Sequence, residues 1–175
     1  ERGDVTKTDD LGTFIEGSRH VVNLIGILFE KGDQRFDAIQ AETPARIAQA
    51  AAAAGVERLV QLSAIGADPE SPAAYGRTKA AGETAVREAF PAATILRPSV
   101  VFGPEDDFFN RFGQMAQMSP FLPLIDGGET RFQPVYVDDV ARAVILGLTD
   151  KATAGQTYEL GGPDVYTFRE LLEYL

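Results

Sequence analysis

The sequence contains no cysteine and a single histidine, His20. The absence of cysteine excludes disulfides, thiolate metal sites and cysteine nucleophiles. One histidine cannot build a histidine metal cluster, and it would have to act alone in any Ser-His-Asp triad. These two absences remove the most common nucleophilic and metal-binding side chains. His20 directly precedes an apolar run, so we expect it at the entrance to a strand.

Basic residues are fewer than acidic ones, with 16 Lys and Arg against 26 Asp and Glu and a net charge of -10. Binding of a nucleic acid backbone requires a basic face, so we expect no nucleic acid partner. The basic residues are also scattered, and no apolar run is long enough to span a bilayer, so we expect no direct membrane insertion. An anionic cofactor remains compatible with this charge, because helix N-termini and backbone N–H groups can bind it.

Short apolar runs alternate with amphipathic segments over the first hundred residues, which is typical of βαβ units. His20–Ile27 is nearly continuously apolar, as expected of a strand covered on both faces. Thr43 as N-cap, Pro44 at the first helical position and Gly55 after the last turn predict an alanine-rich helix. Two further strands at Glu57–Ser63 and Ala93–Arg97 and a long helix at Ala74–Ala89 complete this part. The pattern predicts an α/β fold with a doubly wound parallel sheet.

After Gly103-Pro104 the predicted elements become shorter and mixed. The pattern predicts helices at Phe108–Met118, from Asp138 or Asp139 to Leu148, and after Thr167, with strands at Arg131–Val137 and Thr157–Leu160. The 175 residues can bury the core of one domain rather than two. We therefore expect residues 104–175 to form a small mixed lobe packed on the sheet of residues 1–103.

Tyr75 and Lys79 lie four residues apart, on one face of the long predicted helix. A phenol is a poor base at neutral pH because its ordinary pKa is about 10, and a nearby ammonium group would lower that pKa. Tyr75 could then exchange a proton with a substrate hydroxyl or carbonyl. Ser63 ends the preceding strand, where ligands bind in open α/β sheets, and its hydroxyl could contact the same oxygen. These three residues are the candidate catalytic set.

The same spacing has simpler explanations. A tyrosine and a lysine four residues apart occur by chance on many helices, and Lys79 could pair with Glu83 instead. The order Lys before Glu is the weaker orientation for a helical ion pair. Gly26 and Gly103 could serve only to permit tight turns. Asp139 is better explained as a helix cap than as a catalytic acid.

Ordered landmarks along the chain resemble those of an extended or atypical short-chain dehydrogenase/reductase. They are Gly3-Asp4-Val5, Val22–Gly26, Ser63, the Tyr75/Lys79 pair, Leu96–Gly103 and Val135–Ala141. The resemblance implies a Rossmann-like NAD(P)-binding domain, with residues 1–103 as its C-terminal part and residues 104–175 as a truncated substrate-side lobe. It also implies that the first strands and the glycine-rich loop of that domain are missing, so the choice between NAD and NADP cannot be read from this sequence.

A closer resemblance is to the nucleotide-binding accessory subunit of respiratory complex I and its bacterial relatives. It rests on Val21–Gln40, Tyr75–Phe90, Phe102–Phe112 and Gln133–Val137. This subfamily binds NADP(H) tightly and serves structure or assembly rather than turnover. The resemblance implies subunits of a respiratory complex as partners. It also implies a cytoplasmic location, peripheral on the inner membrane face, which in a eukaryote is the matrix side.

The resemblance assigns cofactor-binding roles by position. Asp4 and Val5 would border the adenine, and Leu24, Ile25 and Gly26 would line the middle of the cofactor. Tyr75 and Lys79 would hold the nicotinamide ribose. The carboxamide would lie near Pro98, Ser99, Val100 and Val101. No residue pattern suggests a metal site.

Three functions are compatible with these observations. The first is a nucleotide-binding accessory or assembly component of the complex I type. The second is a free-standing NAD(P)-dependent oxidoreductase or epimerase/dehydratase that uses Ser63, Tyr75 and Lys79 on a small molecule such as a nucleotide sugar. The third is an interaction module without cofactor, which the intact Ser63, Tyr75 and Lys79 disfavour. The match around Phe102–Phe112 favours the first.

Overall fold

The computed structural model describes residues 4–5, 11–118 and 125–174. Within these residues, the strands are β1 (His20–Asn23), β2 (Arg58–Leu62), β3 (Thr94–Pro98), β4 (Val101–Phe102), β5 (Arg131–Phe132), β6 (Val135–Tyr136), β7 (Thr157–Leu160) and β8 (Tyr166–Thr167). The α-helices are α1 (Gly12–Ile15), α2 (Thr43–Ala53), α3 (Ala74–Ala89), α4 (Asp107–Met118), α5 (Val137–Thr149) and α6 (Phe168–Glu173). The chain divides into two compact units, one of residues 1–97 and 143–159 and one of residues 98–142 and 160–175.

The first unit is built on a sheet with the strand order β1-β2-β3-β7. Strands β1, β2 and β3 pair in parallel, with His20 opposite Arg58 and Val60 opposite Thr94. Parallel pairing is what the alternating apolar pattern predicts. Because parallel strands end at the same edge, the loops that follow β1 and β2 meet at one edge of this sheet.

Strand β1 ends at Asn23, earlier than the apolar run predicts. The Asn23 side chain explains the difference, because its Oδ1 accepts a hydrogen bond from the Ile25 backbone N–H at 3.0 Å. An asparagine that bonds the backbone two residues on makes a turn. The chain therefore leaves the sheet while the sequence is still apolar.

One face of the sheet carries the main hydrophobic core. The core residues come from α1, α2, α3 and the strands between them: Leu11, Ile15, Ile47, Ala48, Ala51, Val56, Leu59, Val86, Phe90 and Ala93. On the other face, a β-carbon added to Gly147 of α5 would lie 2.8 Å from the side chain of Val60. Arg58 donates to the Gly147 carbonyl at 2.6 Å and to that of Asp150 at 3.0 Å, which satisfies carbonyl groups at the end of α5.

A π-helical segment, Asp37–Glu42, runs directly into α2. The prediction that Thr43 caps this helix is therefore wrong. Thr43 has helical dihedral angles, and its hydroxyl donates to the Ala38 carbonyl at 2.8 Å, one turn back. The predicted end of the helix is confirmed, since Gly55 has a φ of +69° and follows the last turn.

Helix α3 has the bounds that the sequence predicts, Ala74–Ala89. It packs against the π-helical segment at Gly82, where a β-carbon would lie only 2.0 Å from the Gln40 carbonyl oxygen. This contact brings two backbones together at a distance that no other residue type permits.

The second unit contains two small sheets, in which β4 pairs with β6 in parallel and β5 with β8 antiparallel. The single strand predicted at Arg131–Val137 is divided into β5 and β6 around Gln133 and Pro134, because Pro134 has no N–H to continue the ladder. Helix α6 begins with a capping box formed by Thr167 and Glu170, as Thr167 predicts.

Helix α5 begins at Val137, so Asp138 and Asp139 lie in its first turn instead of preceding it. Carboxylates in a first turn still interact favourably with the helix dipole. The C-terminal part of α5 and strand β7 up to Glu159 belong to the first unit, within residues 143–159. None of the helices in the described ranges has the length and apolar character needed to cross a membrane.

Candidate functional site

Buried amides fix the loop that leaves the carboxyl end of β1. The Asn23 Nδ2 group donates to Gln61 Oε1 at 2.7 Å, and Gln61 Nε2 donates to the Leu62 carbonyl at 2.7 Å. Farther along the loop, Gln40 Nε2 donates to the Ile27 carbonyl at 3.2 Å. These bonds tie residues 24–27 to β2 and to the π-helical segment.

This loop borders a cavity of about 400 Å³. Its lining residues are Asp4, Val5, Ile25, Gly26, Ile27, Asp33, Gln34 and Ile39. The cavity therefore brings together four of the residues that the resemblance assigns to the cofactor: Asp4, Val5, Ile25 and Gly26. A cavity of this size lies within the usual range for small-molecule sites.

Two neighbouring residues lie outside this group. Leu24 is 63% exposed and does not line the cavity. Gly3, which belongs to the same landmark as Asp4 and Val5, lies outside the described residues. A larger and more open groove of about 620 Å³ between α1 and α2 contains none of the predicted site residues.

Tyr75 occupies the first turn of α3 and is half-buried. Its ring packs edge-on against Phe36, with 5.9 Å between the ring centroids. Burial raises the pKa of the Tyr75 phenol above 10.0, because the phenolate loses solvation. Lys79 is not among the causes of this shift, so the expectation that Lys79 lowers the Tyr75 pKa is wrong.

Lys79 lies one turn farther along the same face of α3. The position and burial of its ammonium group explain why it does not lower the Tyr75 pKa. The Nζ atom lies 5.8 Å from the centroid of the Tyr75 ring, so it faces the ring. Lys79 is 8% exposed, and burial lowers the pKa of its ammonium, with a smaller opposing effect from Glu83. Burial therefore disfavours the charged form of Lys79, and the ammonium group lies against the ring face of Tyr75.

Lys79 Nζ also faces the backbone of the loop after β1. A β-carbon added to Gly26 would lie 3.1 Å from this atom, so the absence of a side chain at Gly26 leaves room for the ammonium. Within the described part of the chain, no carboxylate lies within 4.0 Å of Lys79, and none of its neighbours accepts a hydrogen bond from it. A buried cation with unused donors fits a ligand that carries hydroxyl or other acceptor oxygens.

Glu83, the alternative partner of Lys79, is held by another residue. Arg97 of β3 donates from Nε to Glu83 Oε1 at 2.9 Å and from its terminal nitrogen to Oε2 at 2.8 Å. Both carboxylate oxygens of Glu83 are therefore occupied by a bidentate guanidinium. The explanation of Lys79 as a simple helical ion pair with Glu83 does not apply.

Ser63 follows the last residue of β2, and its backbone N–H donates to the Leu96 carbonyl at 2.7 Å. Its side chain is buried, and the hydroxyl has no hydrogen-bond partner among the described residues. Leaving a buried hydroxyl unsatisfied is costly, so such a group is expected to serve a ligand. The Ser63 hydroxyl is therefore suited to contact a substrate or cofactor oxygen.

All four predicted carboxamide neighbours, Pro98 to Val101, belong to the second unit. Pro98 ends β3, and Val101 begins β4. The backbone N–H of Ser99 donates to the Leu160 carbonyl at 2.8 Å, and the Val100 carbonyl accepts from Val135 at 2.9 Å. In the described ranges, no cluster of three or more His, Asp or Glu side chains is arranged to hold a metal.

Several residues that shape this site were not among the predicted site residues. Phe36 packs on Tyr75, and Asp33, Gln34 and Ile39 line the cavity. The four lie within Val21–Gln40, one of the stretches that carry the closer resemblance, but neither their spacing nor their residue types mark them individually as site residues. Arg97 did offer a signal, because a charged residue within an apolar strand requires a carboxylate partner.

Comparisons with known proteins give a family and a fold. The model of the NAD dependent epimerase/dehydratase family matches residues 1–161. The UDP-glucuronic acid 4-epimerase from Bacillus cereus, solved with UDP-glucuronic acid and NAD, superimposes with a TM-score of 0.81 over 99% of this chain and 64% of that chain at 23% identity. At that identity the likeness concerns the fold, and it confirms the predicted Rossmann-like α/β architecture.

Two curated relatives are similar over almost the whole chain. The mitochondrial NADH dehydrogenase (ubiquinone) 1 alpha subcomplex subunit 9 of Arabidopsis thaliana is 41% identical over 169 residues, which cover 95% of this chain and 42% of that protein. The protein of the same name from Mus musculus is 36% identical over 173 residues, covering 98% of this chain and 46% of that protein. The chain thus spans less than half the length of these relatives. The predicted resemblance is confirmed.

Proposed function

Because the chain belongs to the NAD dependent epimerase/dehydratase family, we propose that its first unit binds a nicotinamide dinucleotide at the carboxyl edge of the sheet. The observation that carries this proposal is the buried Lys79 ammonium, which faces Gly26 and has no carboxylate within 4.0 Å in the described part of the chain. The ribose hydroxyls of a dinucleotide would supply the acceptors that this cation lacks. The 400 Å³ cavity beside Gly26 would accept the adenosine half.

Each proposed contact with the dinucleotide is assigned to a residue that the structure describes. Asp4 and Val5, which line the cavity, would border the adenine, and Ile25 and Gly26, which also line it, would contact the middle of the cofactor. Lys79 holds the nicotinamide ribose, and Tyr75 packs beside it on the same helix face. Leu24 belongs to the same contact loop. Pro98, Ser99, Val100 and Val101 are proposed to meet the carboxamide.

We propose further that the protein is an accessory or assembly component of an NADH:quinone oxidoreductase of the complex I type. The support is 41% and 36% identity to two complex I subunits over 95% and 98% of this chain. Its partners would be subunits of that complex at the inner membrane face, on the matrix side in a eukaryote. NADP(H) is the proposed cofactor, on the resemblance alone.

The cofactor proposal is tested by titration of the purified protein with NADPH and with NADH, followed by nucleotide fluorescence. We expect saturable binding, tighter for NADPH, because the resemblance is to a subfamily that binds NADP(H). Tighter binding of NADH would contradict the proposed preference and leave the site intact. Absence of saturable binding by either nucleotide would contradict the site itself.

A second candidate function is a free-standing oxidoreductase or epimerase/dehydratase that acts on a hydroxyl or carbonyl of a small molecule such as a nucleotide sugar. The specific support is the buried Ser63 hydroxyl, which lacks a partner among the described residues. Bound nicotinamide would supply or accept a hydride. Tyr75 would donate a proton to the substrate oxygen when the nicotinamide supplies the hydride and would take the proton from it when the nicotinamide accepts the hydride, and Ser63 would hydrogen-bond the same oxygen. The raised pKa keeps Tyr75 protonated at neutral pH, as a proton donor must be.

Tyr75→Phe distinguishes the two candidates, because it removes the hydroxyl and keeps the ring that packs on Phe36. For an accessory component, we expect normal nucleotide content and normal assembly of the respiratory complex, measured in cells that carry only the variant. For an enzyme, the rate of the NAD(P)-dependent reaction would fall by about 10²–10⁴-fold with little change in nucleotide affinity. Such a fall would contradict the accessory role.

A further inference from the structure

Arg97 is the one charged residue in β3, and its guanidinium is engaged by two carboxylates of the first unit. The pair with Glu83 of α3 is bidentate, and the Glu83 side chain is only 7% exposed. Glu159 of β7 lies 3.5 Å from a terminal nitrogen of Arg97 and is mostly exposed. A guanidinium can match both oxygens of a carboxylate at once, which an ammonium group cannot.

Glu83 is also one helical turn from Lys79, on the same face of α3. A buried carboxylate and a buried ammonium at this spacing attract each other strongly where water is largely excluded. Glu83 indeed acts on the charge of Lys79, and it raises the pKa that burial lowers. Nevertheless, the Lys79 ammonium lies toward the N-terminal end of α3, against Tyr75 and Gly26.

We propose that Arg97 is a positioning residue for the nucleotide site: by holding both oxygens of Glu83, it prevents Glu83 from capturing Lys79 and leaves the Lys79 ammonium at Gly26. This inference rests on the proposed nucleotide-binding function. Arg97 touches neither Tyr75 nor the cavity lining, so its effect is transmitted through Glu83. The effect passes from Arg97 in β3 to Glu83 in α3, and then one turn along α3 to Lys79 and the ligand.

The test compares three variants of the protein by nucleotide titration. In Arg97→Gln, Glu83 loses its partner and turns to Lys79, and we expect the Kd for the dinucleotide to rise about tenfold or more. In the double variant Arg97→Gln/Glu83→Gln, no carboxylate remains to capture Lys79, so the Kd should return to within about threefold of the wild type. Arg97→Lys keeps a cation beside Glu83 but cannot hold both of its oxygens, so its Kd should lie between those of the wild type and Arg97→Gln.

The double variant separates positioning from a merely structural role. If Arg97 served only to hold β3 against α3, the double variant would bind nucleotide no better than Arg97→Gln does. That result would overturn the proposal. If Arg97→Gln does not fold, the double variant still decides. A double variant with normal stability but a Kd raised tenfold would count against the proposal.

A spectroscopic measurement keeps this inference distinct from the proposed function. The Lys79 side-chain signal, assigned by its loss in Lys79→Met, is recorded in lysine-labelled protein without nucleotide. We expect it to shift in Arg97→Gln, where the ammonium meets Glu83, and to regain the wild-type position in the double variant. If the wild type binds no nucleotide, these shifts still test Arg97. An unchanged Lys79 signal in Arg97→Gln would overturn the positioning role.

Discussion

Lys79→Met is expected to raise the Kd for the nicotinamide dinucleotide by about 10- to 100-fold, the range for losing a hydrogen bond to a charged group. Methionine keeps most of the buried stem and its packing against α3. The ammonium that faces Gly26 is lost, and with it the donors for the ribose hydroxyls. The Kd is measured by fluorescence titration of NADPH into wild-type and variant protein.

The same substitution is expected to stabilise the fold at pH 7, because a buried charge is removed. Burial lowers the pKa of Lys79 below 10.5, so the folded state releases the proton before the unfolded state does. The cost of keeping Lys79 charged is fully present below its lowered pKa and fades as the pH rises toward 10.5. The stability difference between variant and wild type, measured by urea denaturation, should therefore shrink as the pH is raised.

Lys151→Met is the matched control for Lys79→Met, because Lys151 is exposed and lies outside the cavity lining. It should leave both the Kd and the stability unchanged. A residue retained for ligand binding at the expense of stability loses affinity and gains stability together when it is replaced. A Lys79→Met protein that is less stable and binds nucleotide normally would show that the lysine is a structural residue.

Gly82→Ala is expected to destabilise the protein by an amount near the upper end of the about 1–3 kcal/mol found for overpacked cores. The new β-carbon would lie 2.0 Å from the Gln40 carbonyl oxygen, far inside any normal contact. The opposing atom belongs to backbone, so it cannot move aside as a flexible side chain would. Helix α3 and the π-helical segment would have to separate, and the free energy of unfolding in urea reports the cost.

Gly113→Ala provides the comparison, since Gly113 also lies inside a helix but a β-carbon there meets nothing within 4 Å among the described residues. Alanine in such a position should raise stability by about 0.5–1 kcal/mol. Gln40 of the π-helical segment donates to the carbonyl of Ile27, in the loop that borders the cavity. Gly82→Ala should therefore also weaken nucleotide binding. Equal stability of the two variants would contradict the close packing at Gly82.

The layers of the fold could be predicted because burial on both faces leaves a distinct pattern in the sequence. His20, Arg58 and Thr94 begin strands at or within one residue of the predicted starts, and α3 has the predicted bounds. The misplaced boundaries depend on side chains that bond backbone locally. Asn23 turns the chain out of β1, and Thr43 continues a helix instead of starting it. Such choices depend on neighbours that a hydrophobic pattern does not identify.

The sequence identifies candidate site residues but not their electrostatic arrangement. Four of the residues proposed to bind the cofactor, Asp4, Val5, Ile25 and Gly26, line one cavity. The direction of the Lys79 side chain was not predictable, because it depends on the space at Gly26. Its effect on the Tyr75 pKa also depends on burial, which the spacing of two residues does not reveal.

The central claim is that the first unit holds a nicotinamide dinucleotide through Lys79. Its most direct test is mass spectrometry of the small molecules released on denaturation of protein purified from its own cells. We expect one NADP(H) or NAD(H) per wild-type chain and a marked loss of this nucleotide from Lys79→Met. A wild-type protein that releases no dinucleotide and binds none on titration would contradict the account, as would a Lys79→Met protein with full nucleotide content.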